Sequence, residues 1–96
     1  MNRVKWSRPA QADIASIDDH YHALNADYAA RVARSTVQAA QFLVDTPEAG
    51  QLVGMRTRKW RVAGTPYLLF YRPEGSAVRI VRVIHAARDW KKLIEP

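Results

Sequence analysis

The stretch AVRIVRVIH at residues 77–85 decides the fold. Six of its nine residues are apolar and five of those are β-branched, which favours a strand over a helix. Alternation places Val78, Ile80, Arg82 and Ile84 on one face and Arg79, Val81, Val83 and His85 on the other. Neither face is wholly polar, so the pattern predicts an interior strand that is covered on both sides.

One cation in this strand needs its own explanation. Arg82 shares a face with apolar residues, where an unpaired guanidinium would be costly. It therefore needs either a carboxylate partner, for which Asp13 and Asp89 are candidates, or an opening to a polar site. These two interpretations predict different roles for Arg82, one structural and one functional.

The composition indicates one small domain spanning residues 1–96, in which charged residues make up 25% of the chain. No apolar run approaches the roughly 18 residues that a membrane span needs. The N-terminus lacks an apolar segment of signal-peptide length and the chain has no cysteine. We therefore expect a cytoplasmic protein.

The net charge of +6 is unevenly distributed along the chain. Residues 1–48 hold five Lys/Arg against six Asp/Glu, whereas residues 49–96 hold ten against three. This asymmetry indicates an anionic partner, either nucleic acid or an acidic protein segment. A cationic surface that only keeps the protein in solution explains the charge equally well.

Hydrophobic periodicity predicts the remaining elements in chain order. A short strand at 3–7 precedes a helix at about 9–24 and a second helix from 28 to 44. Asn25 is expected to end the first helix in a left-handed conformation, and Asp27 to cap the second. Residues 46–55 read as a connection, residues 57–85 as a three-stranded antiparallel meander, and the tail as a short helix or an extended arm. The predicted fold is α+β, with an N-terminal strand and an antiparallel helical hairpin on an antiparallel sheet.

Several kinds of chemistry lack support in the sequence. No third ligand accompanies His20 and His22, so we expect no metal. There is no glycine-rich phosphate loop and no GxSxG nucleophile turn, so we also expect no cofactor and no nucleophilic enzyme. Asp13, Asp18 and Asp19 read as solvated helix residues rather than as catalytic acids.

A cationic and aromatic cluster on the meander is the main functional candidate. Such a surface would bind acidic protein or stabilise a phosphoryl transition state, and a histidine would move a proton near neutral pH. Alternatively, the aromatic residues only pack and the arginines pair with nearby acids. The cluster comprises Arg58, Lys59, Trp60, Arg61, Tyr71, Arg72, Arg79, Arg82, His85, Arg88 and Trp90.

Three segments resemble those of a known family: Val4–Ser7 with Pro9 and Ala12–Ile14, then Arg58–Val62 before Tyr67–Arg72, and most specifically Ile80–Trp90. In these segments and their order the chain resembles the RelE/ParE superfamily of bacterial type II toxin–antitoxin toxins, and particularly its ParE branch. The resemblance implies a growth-inhibiting toxin that a ParD-like antitoxin neutralises. ParE-type toxins inhibit DNA gyrase, whereas RelE-type toxins cut mRNA on the ribosome.

The resemblance favours the ParE branch through the end of the chain. Trp90 stands where RelE-type nucleases use a proton-transferring tyrosine, and residues 49–57 contain no glutamate. We therefore expect a toxin that is not an enzyme, with a ribosome-dependent mRNA endoribonuclease as the alternative. If it is a nuclease, the catalytic candidates are His85, Arg82 and Arg61.

The resemblance also implies interfaces. For the target we expect contacts from Trp60, Arg61, Arg82, His85, Arg88 and Trp90. For the antitoxin we expect contacts from Ile14, Ile17, Tyr21, Leu24 and Arg72. The expected assembly is a toxin–antitoxin hetero-oligomer that reaches operator DNA only through the antitoxin, with DNA gyrase as target and no membrane association.

Overall fold

The computed structural model describes residues 3–94 as a five-stranded sheet with a helical hairpin on one face and a short helix on the other. Its elements are β1 (Val4–Trp6), α1 (Arg8–His22), α2 (Ala26–Asp45), β2 (Gln51–Leu52), β3 (Arg58–Arg61), β4 (Tyr67–Glu74), β5 (Ala77–His85) and α3 (Trp90–Ile94). The sheet order is β1-β5-β4-β3-β2. The predicted α+β class, helical hairpin and antiparallel meander are confirmed. No helix within residues 3–94 combines the length and the hydropathy needed to cross a membrane.

The sheet differs from the prediction at both ends. β1 pairs with β5 in parallel, with Val4 opposite Val78, so the sheet is mixed rather than purely antiparallel. Parallel neighbours need a long crossover, which the helical hairpin and the meander supply here. At the other end β2 pairs with β3, inside the segment 46–55 that was predicted as a connection. Two residues are too few to show a strand alternation in a sequence.

Capping side chains set the helical hairpin. The Ser7 hydroxyl accepts from the Ala10 N–H at 3.1 Å and starts α1. The prediction that Asn25 ends α1 in a left-handed conformation is wrong: its φ is −162° and its side chain accepts from the Tyr28 N–H at 3.0 Å, so Asn25 caps α2. Asp27 lies within the first turn of α2 instead of capping it. A short polar residue before a helix fits either role by composition, and here the second helix uses it.

An irregularity in β5 changes which side chains share a face. Tyr71 pairs with Ile80 and Phe70 pairs with Arg82, so Val81 has no partner on β4. This one-residue bulge shifts the alternation that follows it. Val83 therefore joins Ile80 on the helix-facing side, and the simple odd–even division of β5 is wrong beyond Val81.

The sheet is covered on both faces, as the interior-strand pattern of β5 predicts. The larger core lies between the sheet and the helical hairpin and contains Val32, Leu43, Leu69, Tyr71 and Ile80. A smaller core lies on the opposite face, where α3 packs against three fully or nearly fully buried residues, Leu68, Phe70 and Ile84. α3 thus resolves the predicted choice between a helix and an extended arm in favour of a helix.

Candidate functional site

A side-chain pair joins α1 to β5 where the last strand loses its parallel neighbour. Arg82 donates from Nε to Oδ2 of Asp13 at 2.7 Å and from Nη2 to Oδ1 at 2.9 Å. The same Oδ2 accepts from the Val83 N–H at 2.9 Å. The hydrogen bonds that Arg82 donates to Asp13 raise the pKa of Arg82. The expected carboxylate partner of Arg82 is confirmed as Asp13, and the expectation of a solvated Asp13 is wrong, because its side chain is only 14% exposed.

Ser7 continues the same edge. Its N–H donates to the Ile80 carbonyl at 3.0 Å, and its hydroxyl donates to the Val81 carbonyl at 2.8 Å. Together with Asp13, Ser7 satisfies backbone groups of β5 beyond the end of β1. This arrangement fixes α1 against the strand that leads to His85.

Beyond this pair an open cleft separates the second half of α1 from the end of β5. Its volume is about 420 Å³. Seven of its ten lining residues are polar or titratable, so the cleft suits a polar or charged partner better than an apolar one. The lining residues are Asp13, Ser16, Ile17, His20, Tyr21, Tyr67, Val83, Ile84, His85 and Arg88.

The position of the proton on His85 follows from its hydrogen bond. Its Nδ1 accepts from the Ala87 N–H at 3.0 Å, and its ring meets the edge of Tyr67 with the centroids 5.4 Å apart. A neutral imidazole that accepts at Nδ1 carries its proton on Nε2. In the neutral ring, Nε2 is therefore an N–H donor and the one acceptor nitrogen is already occupied by the Ala87 N–H.

The nearest phenol is also a poor proton carrier. Burial first, and then the hydrogen bond to the Tyr21 hydroxyl at 3.3 Å, raise the pKa of Tyr67 well above the usual value of a tyrosine. An ordinary tyrosine is already protonated at physiological pH, and this shift makes Tyr67 a still weaker candidate for a base. Among residues 3–94, no group of three or more His, Cys, Asp or Glu side chains is arranged to hold a metal ion.

The structure does not bring the predicted target-binding residues together. Arg82, His85 and Arg88 lie at or beside the cleft. Trp60 stacks on Phe42 of α2, with ring centroids 5.4 Å apart. Arg61 is exposed on β3, and Trp90 lies on the α3 face of the sheet.

Trp90 packs against the smaller core and is half-buried, so only part of its ring is accessible to a target. Its ring lies 5.3 Å from that of Phe70 and is half-buried. The ammonium groups of Lys59 and Lys91 lie 4.8 and 5.8 Å from the ring centroid, within the range of cation–π attraction. Trp90 thus joins the smaller core to a cationic surface.

The residues expected to bind an antitoxin are also separated. Ile14, Ile17 and Tyr21 are half-buried against the larger core, whereas Leu24 in the turn between the helices is 74% exposed. Arg72 lies on the meander, where its Nε donates to the Thr57 hydroxyl at 2.9 Å. The α1 stripe is therefore used mainly by the fold, and Leu24 and Arg72 keep accessible surface.

Sequence reasoning missed an apolar surface beside β2. Met55 is 96% exposed and Leu52 is 54% exposed. They lie next to a pocket that the loop after β2 forms with Arg72 and Ile94. The segment 46–55 has no periodicity, and the only available signal was two large apolar side chains in a polar connection.

Comparison with known proteins agrees with this architecture. Residues 4–90 match the family of ParE toxins of the type II toxin–antitoxin system parDE. A protein named Toxin RelE2 from Caulobacter vibrioides is 35% identical over 88 residues, which are 92% of this chain and 99% of that protein. A solved structure titled chromosomal ParDE TA system from P. aeruginosa superposes with a TM-score of 0.74 at 27% identity, covering 88% of this chain and 96% of the other. With nearly its whole length matched, the chain belongs to the ParE toxins of type II toxin–antitoxin systems, within the RelE/ParE superfamily.

Proposed function

We propose that this toxin acts by binding DNA gyrase in the cytoplasm, that it does not cleave RNA, and that a ParD-like antitoxin neutralises it. The observation that carries the proposal is the hydrogen bond from the Ala87 N–H to Nδ1 of His85. In the neutral imidazole this bond occupies the one acceptor nitrogen, Nδ1, and leaves Nε2 as an N–H donor. Cleavage of RNA needs both a base and an acid at the scissile phosphate.

The other nuclease candidates support the same proposal. Arg82 is engaged by Asp13 through two hydrogen bonds, and Arg61 lies on β3, away from the cleft lining. Tyr67 is protonated at physiological pH, as any tyrosine is, and burial raises its pKa further, so it does not serve as a base. A gyrase-binding surface needs complementary shape and charge and no proton transfer. The exposed guanidinium of Arg88, beside His85, supplies a positive charge and hydrogen-bond donors.

Two assays on purified toxin test the proposal. We expect inhibition of gyrase supercoiling and no cleavage of mRNA in a translating extract. His85→Gln retains an acceptor for the Ala87 N–H but cannot titrate, so inhibition should persist. Arg88→Ala should weaken inhibition by about fivefold or more, the loss of one interface contact of about 1 kcal/mol.

A matched control separates a site effect from a general loss of charge. Arg34 is exposed on α2 outside the cleft, so Arg34→Ala should inhibit like the wild type. Cleavage of mRNA that His85→Gln abolishes would refute the gyrase proposal and assign the protein to the ribonuclease alternative, which the name of the Caulobacter relative favours.

A further inference from the structure

The face of α2 that points away from the core carries two large apolar side chains. Phe42 is 46% exposed and Val37 is 45% exposed. Trp60 of β3 stacks on Phe42 and holds its ring at the surface. The buried residues of α2 lie on the opposite side of the helix, so Val37 and Phe42 are not needed to fill the larger core. Exposed apolar side chains on one helix face indicate an interaction surface.

These two side chains belong to a symmetrical pattern, which we call the outer stripe of α2. Its six residues recur at helical spacing and share one face of the helix, and all six are exposed. Read from either end, the stripe has the same order of residue types: a charge, an apolar side chain and a glutamine. The centre of this symmetry lies between Ala39 and Ala40. The stripe comprises Arg34, Val37, Gln38, Gln41, Phe42 and Asp45.

A second copy of α2 in the antiparallel orientation matches this stripe. A two-fold axis between positions 39 and 40 places Arg34 of each copy at the level of Asp45 of the other. The same axis places each glutamine at the level of the other glutamine, and Val37 at the level of Phe42. A parallel arrangement would instead place like charges side by side, so the charges select the antiparallel orientation.

The distribution of charge also favours α2 as the contact between two copies. Residues 49–96 hold ten Lys/Arg against three Asp/Glu, so that half of the chain repels a second copy. α2 has two acidic and two basic residues and a formal net charge of zero. Among the residues that the structure describes, 3–94, no ion pair involves Arg34 or Asp45. Both charges are therefore available to a second copy.

We propose that the outer stripe of α2 joins two copies of this toxin in an antiparallel two-fold dimer. The proposal is independent of the proposed function, because none of the stripe residues lines the cleft. The stripe is about 16 Å long and one helix wide. Such a contact is smaller than the roughly 800 Å² per partner of stable complexes. The dimer therefore forms at high protein concentration, with a dissociation constant on the order of 100 µM.

Sedimentation equilibrium of the full-length toxin tests the dimer between about 10 µM and about 1 mM, a range that brackets this dissociation constant. We expect the average mass to rise from that of the monomer toward that of the dimer. Phe42→Ser should weaken association by at least about tenfold, because both copies lose an apolar contact. Arg8→Glu, a charge reversal at an exposed position of α1, should associate like the wild type.

A mixture of two charge-reversed variants tests the antiparallel orientation. Arg34→Glu alone brings two acidic groups together at both ends of the contact, and Asp45→Arg alone brings two basic groups together. Each variant alone should therefore associate at least about tenfold more weakly than the wild type. In a one-to-one mixture the opposite charges meet at both ends, so the mixture should associate about as tightly as the wild type. A change in the stability of the monomer would not produce this rescue.

Two results would overturn the proposal: a wild type that stays monomeric at about 1 mM, or a mixture that associates no better than its components. A monomeric wild type whose inhibition of gyrase is lost in Phe42→Ser would assign the stripe to the target instead. The supercoiling assay uses toxin well below the dissociation constant of the dimer, so Arg34→Ala remains a valid control there. Gyrase inhibition and dimerisation are thus separate results, and the failure of one leaves the other in place.

Discussion

Asp13→Ala is expected to destabilise the protein strongly, because Asp13 serves three donors from β5. The substitution leaves the Arg82 guanidinium and the Val83 N–H without their acceptor. Breaking a buried ion pair by removing one partner costs about 3–5 kcal/mol. Arg82 is 22% exposed and can turn partly to water, so the lower end, about 3 kcal/mol, applies here. In a domain of this size that corresponds to a fall in Tm of about 12–24 °C.

The double variant makes the prediction specific. Asp13→Ala with Arg82→Met removes both charges, and an apolar replacement of an ion pair is often close to neutral. We therefore expect the double variant to be more stable than Asp13→Ala alone, with the lost Val83 bond costing about 1 kcal/mol. Asp19→Ala, an exposed carboxylate on the same helix, is the control.

Differential scanning calorimetry of the wild type, Asp13→Ala, Arg82→Met, the double variant and Asp19→Ala measures these changes. If Asp13→Ala lowers Tm by less than about 4 °C, which corresponds to less than about 1 kcal/mol, the reasoning is refuted. Such a result would show that water replaces the carboxylate without a loss of stability. Additive effects of the two substitutions would refute it as well, since groups in direct contact should couple.

Three further substitutions test the packing and the pH dependence. Burial raises the pKa of Tyr67 above the value in the unfolded chain, which is about 10. The contribution of Tyr67 to the free energy of unfolding is therefore complete below about pH 10 and is lost as the pH rises toward the folded-state pKa. Tyr67→Phe should flatten the fall in the urea midpoint between pH 8 and pH 11. Equal slopes of urea midpoint against pH in Tyr67→Phe and the wild type would contradict this. Gly50→Ala brings a Cβ to 2.7 Å from the Tyr71 hydroxyl and should cost about 1–3 kcal/mol in thermal unfolding, whereas an unchanged Tm would show that the loop yields. Trp90→Ala uncovers Phe70 and should cost about 2 kcal/mol while speeding amide exchange in α3; unchanged exchange would mean that α3 docks without it.

The elements with long hydrophobic patterns were predictable from the sequence. Both helices, the hairpin and the interior position of β5 follow from side-chain periodicity. β2 was missed because two residues carry no period, and the parallel pairing of β1 was missed because a three-residue strand does not encode its partner or direction. The bulge at Val81 also has no sequence signal, and it invalidated the division of β5 into faces.

The candidate site was only partly predictable. Arg82 could be identified as a residue in need of a carboxylate, and Asp13 was one of two named candidates. The grouping of Trp60 and Trp90 with His85 was not correct, because aromatic residues on a small sheet serve whichever core lies nearest. Trp60 stacks on α2 and Trp90 covers Phe70, on opposite faces.

The unpaired Val81 makes β5 one residue longer than its pairing with β4 requires. If Val81 were deleted, Ile80 would still oppose Tyr71 and Arg82 would still oppose Phe70, so the meander would keep its register. What would disappear is the carbonyl that accepts from the Ser7 hydroxyl, together with the local bend of the strand. The extra residue therefore serves the first helix and not the sheet, and a shortened chain should form the meander while holding α1 less firmly.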